Sequence, residues 1–176
     1  NRRFELMNCR SSYHNVPLIN GLEQRDGKAF RAMNVEHISG NLGDGIVASC
    51  CMDIEKAYPK EANVSNWTRT MTLNGPAETV ELTDSVALAK QHKPVELILM
   101  TCGEPCLDNE GMVLLGNKSV RLALPLDRIS VSWEKVEMPD GIMKEQWNDN
   151  VYRIIITLKD GYRNGKVTLR FCNRGI

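Results

Sequence analysis

A chain of 176 residues in which 22 lysines and arginines balance 22 aspartates and glutamates lacks the basic excess that draws proteins to nucleic acid or lipid surfaces, so neither is an expected partner. Folding at this length buries about 70% of the extended-chain surface, enough for one domain with a real core, and no linker, repeat or low-complexity tract divides residues 1–176. No apolar run approaches the roughly 20 residues of a membrane span.

In chain order, Phe4 to Cys9 reads as a short strand. Val16 to Ile19 is an apolar run stopped by Asn20-Gly21, a turn pair because both residues tolerate positive φ. A strand here would put Val16, Leu18 and Leu22 on one face and Ile19 on the other. Lys28 to Ile38 alternates as a further strand, Gly40 to Gly45 is a loop, and Ile46 to Met52 is a strand of small and apolar residues. Asp53 to Tyr58 suits one helical turn, capped by Asp53 and stopped by Pro59. Trp67, Arg69, Met71 and Leu73 alternate with Thr68, Thr70 and Thr72, which predicts a strand with threonines on one face and bulk on the other, Trp67 belonging to the core. Asn74-Gly-Pro76 turns the chain into a strand over Thr79 to Leu88. Val95 to Met100, apolar on both faces, suits the middle of a sheet. Asp108 to Gly111 reads as a hairpin turn between Cys106-Leu107 and Met112 to Leu115. Strands over Val120 to Leu124, Ile129 to Val136, Val151 to Leu158 and Val167 to Phe171 complete the set. Short strands, turn residues and helix confined to the region of Asp53 predict an all-β, antiparallel two-sheet β-sandwich.

Six cysteines are too sparse for a disulfide scaffold at this length. Cys102-Gly-Glu-Pro-Cys106 has no second pair or nearby histidine to complete a zinc site, so buried thiols are the expected state. The polar cluster at the predicted strand mouth holds more chemistry: Arg10, Tyr13, His14 and Asn15. An imidazole there either hydrogen-bonds its own neighbours or serves as a ligand. Arg10 and Arg69 could grip a carboxylate or sulfate bidentately, or simply pair with an acidic neighbour. Trp133 and Trp147 could stack on sugar rings, and the polar flanks of Trp147 predict an exposed one.

Tyr13-His-Asn-Val-Pro-Leu-Ile-Asn-Gly-Leu-Glu-Gln24 resembles the His-Asn signature, with its following Asn-Gly-x-x-Gln, of the heparinase II/III-like family of polysaccharide lyases. Asp53-Ile-Glu-Lys-Ala-Tyr-Pro59 and Trp67-Thr-Arg-Thr-Met-Thr-Leu73 follow in the order and spacing that family shows. The likeness covers the first half of the chain; the second half shares only its strand-rich texture. It implies the C-terminal sandwich portion of a longer, periplasmic or secreted lyase that cleaves uronic-acid glycans, glycosaminoglycans among them, by β-elimination. A helical domain upstream would be its partner. In such lyases the catalytic tyrosine and carboxylate-neutralising groups lie in that helical domain, and a further histidine lies in a His-x-His-x-Asp motif. This chain has His14, His37 and His92 and no such motif, so the resemblance implies no catalytic residue within it and no activity of the fragment alone. The same resemblance makes His14 one of three protein ligands of a structural zinc in the parent enzyme, the other two lying upstream, with no zinc held by the fragment. Arg10, Tyr13 and Asn15 are then candidate contacts to an acidic polysaccharide or oligosaccharide. The alternative is a non-catalytic carbohydrate-binding or adhesion module of the same fold.

Overall fold

Threonine at every second position from Thr68 to Thr72 fits a pleated, half-buried surface better than a helix, and the chain is a strand from Val64 to Asn74. The computed structural model describes residues 6–108, 112–115, 120–124, 127–139, 141–159 and 163–173. Its strands, in order, are β1 Pro17–Leu18, β2 Met33–Ser39, β3 Ile46–Asp53, β4 Val64–Asn74, β5 Thr79–Leu88, β6 Glu96–Thr101, β7 Cys106–Leu107, β8 Val113–Leu115, β9 Val120–Ala123, β10 Ile129–Glu137, β11 Asn150–Leu158 and β12 Asn164–Asn173. They form a four-stranded sheet, β1-β6-β11-β10, and an eight-stranded sheet, β2-β3-β4-β5-β12-β9-β8-β7. All pairings are antiparallel. The all-β sandwich expected from the strand pattern is the observed architecture.

The core lies where the small sheet faces the large one. Leu97, Leu99, Ile154 and Ile156 come from the small sheet, and Trp67, Val86, Leu122 and Leu169 from the large one. Register explains the sharing: Leu99 pairs with Ile154 on the inner face of the small sheet, so Met100, opposite Arg153, lies on its outer face.

Four strands cannot cover eight, and this corrects one expectation. Trp67 and Arg69 are buried, but Met71 and Leu73 on the same face of β4 are 44% and 41% exposed. The alternation is real, yet the inner face of β4 runs past the edge of the small sheet. β2 is exposed along its whole length.

Local details differ as well. The predicted strand from Lys28 begins only at Met33, after turns through 27–31. Met7–Cys9 forms a 3-10 turn rather than the end of a strand, and 4–5 lie outside the described residues. The strand predicted beyond His14 shrinks to Pro17–Leu18, and Ile19 bridges Leu22 across the turn while burying completely. Asp53 caps nothing: the 3-10 turn Glu55–Ala57 follows Ile54. The Asp53 carboxylate instead accepts from Asn34 Nδ2 at 2.8 Å and Thr68 Oγ1 at 2.7 Å, fastening three strands. A helix, α1 (Ile142–Trp147), was not expected at all; at six residues it is too short to show a period. Of the predicted hairpin turn Asp108 to Gly111, 109–111 lie outside the described residues, though its flanks pair as β7 and β8 and Asp108 exchanges hydrogen bonds with Met112.

Asn20-Gly21 is a tight turn with φ of 54° and 74°. A Cβ on Gly21 would sit 2.9 Å from the Lys93 side chain, which is flexible enough to move aside, so it is the positive φ that favours glycine here. The buried Asn20 amide donates to the carbonyls of Ala62 and Lys90 and accepts from the N–H groups of His92 and Lys93. It satisfies four loop groups that would otherwise be stranded.

One charged pair crosses the core. Asp84 is 1% exposed and Arg69 7%, adjacent in register on β5 and β4. Arg69 Nε and Nη2 donate to the Asp84 carboxylate at 2.8 and 2.7 Å, and Trp67 Nε1 donates to it at 2.8 Å. Burial opposes the guanidinium charge, but hydrogen bonding to Asp84 and its negative charge outweigh that and raise the Arg69 pKa. Arg69 is thus committed to structure.

Trp67→Ala should cost about 3–5 kcal/mol by cavity formation, and Asp84→Ala about as much because it strands a buried cation. Replacing the pair together (Arg69→Met with Asp84→Leu) should cost far less than Asp84→Ala. Urea midpoints read all three; a midpoint unmoved by Trp67→Ala would place that ring outside the core.

Candidate functional site

His14 sits on a segment that sequence alone does not hold in place. Residues 7–16 make two 3-10 turns, Met7–Cys9 and Ser11–Tyr13, and then straighten into β1. Few of their backbone groups join a sheet, so side chains do the fastening. Glu23 is the first clamp. Its Oε1 accepts from Arg10 Nε and Nη2 at 3.1 and 2.5 Å, and its Oε2 from the Ser12 N–H at 3.2 Å. Asn15 is the second: its Oδ1 accepts from Met100 N–H at 2.8 Å and its carbonyl from Arg69 Nη1 at 2.9 Å. Arg153 is the third, donating from Nε to the Ser12 carbonyl at 2.7 Å and from Nη1 to Glu134 at 3.0 Å. Tyr58 supports the start of β1 by donating its hydroxyl to the Pro17 carbonyl at 2.5 Å, and burial pushes that phenol's pKa up.

The candidate residues meet here in one stretch. The Tyr13 ring has the Arg10 guanidinium 5.7 Å from its centroid and that of Arg153 at 5.8 Å, two cation–π contacts. His14 and Asn15 are exposed. His14 Nε2 lies 3.2 Å from the Asn8 carbonyl. A carbonyl can only accept, so Nε2 carries the proton and the neutral ring keeps its lone pair on Nδ1. This is the kind of backbone contact that orients a ligand histidine. Among the described residues, however, no three His, Cys, Asp or Glu side chains gather to hold a metal ion. The residues present do not make up a zinc site.

Two cavities flank the segment. One of about 480 Å³ is lined by Arg10, Ser11, His14, Glu23, Gln24 and Arg25; Arg10 there is occupied by Glu23, and Arg25 lies over the Phe30 ring. The other, of about 320 Å³, lies on the outer face of the small sheet. Its floor is the end of β6 with Val151, one wall is Met7, Asn8 and Tyr13 to Asn15, and the opposite wall is Met138 with Met143 and Trp147 of α1. Trp147 is 50% exposed, as its polar flanks predicted, whereas Trp133 packs on the core. The methionines and Arg153 were missed in the sequence. They are scattered along the chain and share no period, so only the register of the small sheet brings them together.

No protein-family profile and no curated protein matches the sequence. Among solved structures, the heparan sulfate lyase HepC of Pedobacter heparinus superposes with a TM-score of 0.62 at 12% identity, over 90% of this chain and 24% of that one. A mutant of the same lyase gives 0.63 at 11% identity with the same coverage. The chain therefore shares its fold with about a quarter of that lyase's length.

Glu23 gives the segment an acid limit. Burial works to raise its pKa, but hydrogen bonds from Arg10 and the Ser12 N–H, with the Arg10 charge, more than offset this, and the net shift is downward. A carboxylate depressed on folding contributes its full stability above the unfolded pKa and loses it as pH falls through the lowered folded value. Amide NMR should therefore show residues 10–14 loosening in acid, below the ordinary glutamate range, before the strands melt. Glu23→Gln should abolish that pH-dependent step; a variant that keeps it would remove Glu23 from this role.

Proposed function

We propose that this chain is the β-sandwich portion of a polysaccharide lyase, periplasmic or secreted, that cleaves uronic-acid glycans by β-elimination. The observation that carries the reading is the superposition on heparan sulfate lyase HepC over 90% of the chain. The stretch from Tyr13 to Gln24, whose order resembles the lyase signature, agrees with it: Pro17 to Asn20 are buried in the sandwich, while His14 and Asn15 are exposed beside them. β-Elimination at a uronate requires a group that neutralises the carboxylate, a base for the C5 proton and an acid for the departing O4. The described residues offer no set with these roles, so the reading assigns them to an upstream helical domain and makes this sandwich one wall of the cleft. The Tyr13–Asn15 edge would contact the glycan, with Arg10 and Arg153, ion-paired to Glu23 and Glu134, packed against the Tyr13 ring. The structural zinc that the resemblance implies for the parent would take His14 with two ligands upstream of this chain, and it carries no step in this reading.

The test is the protein expressed from its complete reading frame, incubated with heparan, chondroitin and alginate. The expected result is an unsaturated, ultraviolet-absorbing uronate at the new non-reducing end of at least one glycan. Binding to such glycans with no unsaturated product from any of them would favour the carbohydrate-binding module instead.

A further inference from the structure

The cavity between the His14 segment and α1 is chemically unlike the cleft of an enzyme that grips uronates. No lysine, arginine, aspartate or glutamate lines it. A carboxylate or sulfate entering it would lose hydration without gaining a cation, at a cost of several kcal/mol. A neutral occupant suits this lining better than a charged one. Half of the chain's eight methionines (Met7, Met100, Met138 and Met143) converge on it from four separate stretches, giving an apolar, adaptable lining. At about 320 Å³ it holds a small group rather than a chain of sugars.

The polar atoms are as selective as the apolar ones. Because His14 Nε2–H donates to the Asn8 carbonyl, the neutral ring presents Nδ1 as an acceptor. Because Asn15 Oδ1 already accepts from Met100 N–H, its side chain has the Nδ2 hydrogens left to give. Two adjacent residues lining the cavity thus offer one acceptor and one donor, the two hydrogen-bonding roles that an amide group needs from its site. We infer that this cavity receives the acetamido group of an N-acetylated amino sugar: N–H to His14 Nδ1, C=O from Asn15 Nδ2, the methyl among the methionines, and the sugar ring against the half-exposed face of Trp147. The choice of a sugar as the amide's carrier rests on the lyase reading; recognition of the amide does not.

Methyl-labelled methionine NMR on this 176-residue chain reads this directly. N-acetylglucosamine should move the signals of Met7, Met100, Met138 and Met143 and leave those of Met33, Met52, Met71 and Met112 in place. Glucose and glucuronic acid should move none. Asn15→Asp keeps the oxygen that Met100 needs but removes the donor, and should weaken binding at least about tenfold. Trp147→Ala, on an exposed helix, should weaken it without altering the melting curve. No shift, equal shifts with glucuronic acid, undiminished binding by Asn15→Asp, or shifts produced only by an acetyl-lysine peptide would each overturn the assignment. The outcomes separate from those of the lyase test: absence of unsaturated product leaves the expected shifts intact, and loss of the shifts in an active lyase overturns the cavity alone.

Discussion

Asp84 accepts three hydrogen bonds from two side chains inside the sandwich, and Arg69, which supplies two of them, spends a further N–H on the Asn15 carbonyl. Asn15 in turn holds the Met100 amide of β6. A single polar chain thus runs from β5 through β4 to the 7–16 segment and on into the small sheet. Buried ion pairs add little to stability compared with apolar residues of the same shape, since desolvation takes back much of the Coulombic gain. What this pair contributes is position. Of the five N–H groups of the guanidinium, Asp84 takes two, and the Asn15 carbonyl takes a third from Nη1.

The consequence reaches the site. The His14 segment has little ladder of its own, and its 3-10 turns hold no sheet register. It stays against the small sheet because Arg69, Glu23 and Arg153 hold its backbone and side chains at Asn15, Arg10 and Ser12. Glu23 and Arg153 both grip Ser12, through its N–H and its carbonyl, and Arg69 holds Asn15 beside the cavity. The likeness to HepC at 11–12% identity fits this division. Strand patterning and a packed core sustain the sandwich at low identity, whereas the polar contacts that shape a pocket depend on particular residues.

Much of the fold is legible in the chain because strand periodicity and turn chemistry are local. β4, β5, β11 and β12 stand where alternation put them, and Asn20-Gly21 turns as the dipeptide demands. What failed was non-local. Met71 and Leu73 follow Trp67 in pattern but not in burial, since alternation carries no information about where the opposing sheet ends. Asp53 looks like a helix cap until Asn34 and Thr68 arrive from neighbouring strands. The site divides in the same way. Tyr13, His14 and Asn15 are contiguous and could be picked out as a polar cluster; the partner of Arg10 and the methionines of the cavity wall depend on tertiary structure. α1 fell below the length at which a helical period can be seen.

The Asp84–Arg69 pair places the His14 segment more than it stabilises the core. Amide hydrogen exchange on the Arg69→Met, Asp84→Leu double variant measures it most directly, because the core is repacked with apolar groups while the Asn15 carbonyl loses its donor. Faster exchange is expected at His14, Val16 and Met100, with Ile154 and Ile156 of β11 still protected. Unchanged exchange across residues 10–16 and at Met100, in a variant as stable as the original, would contradict it.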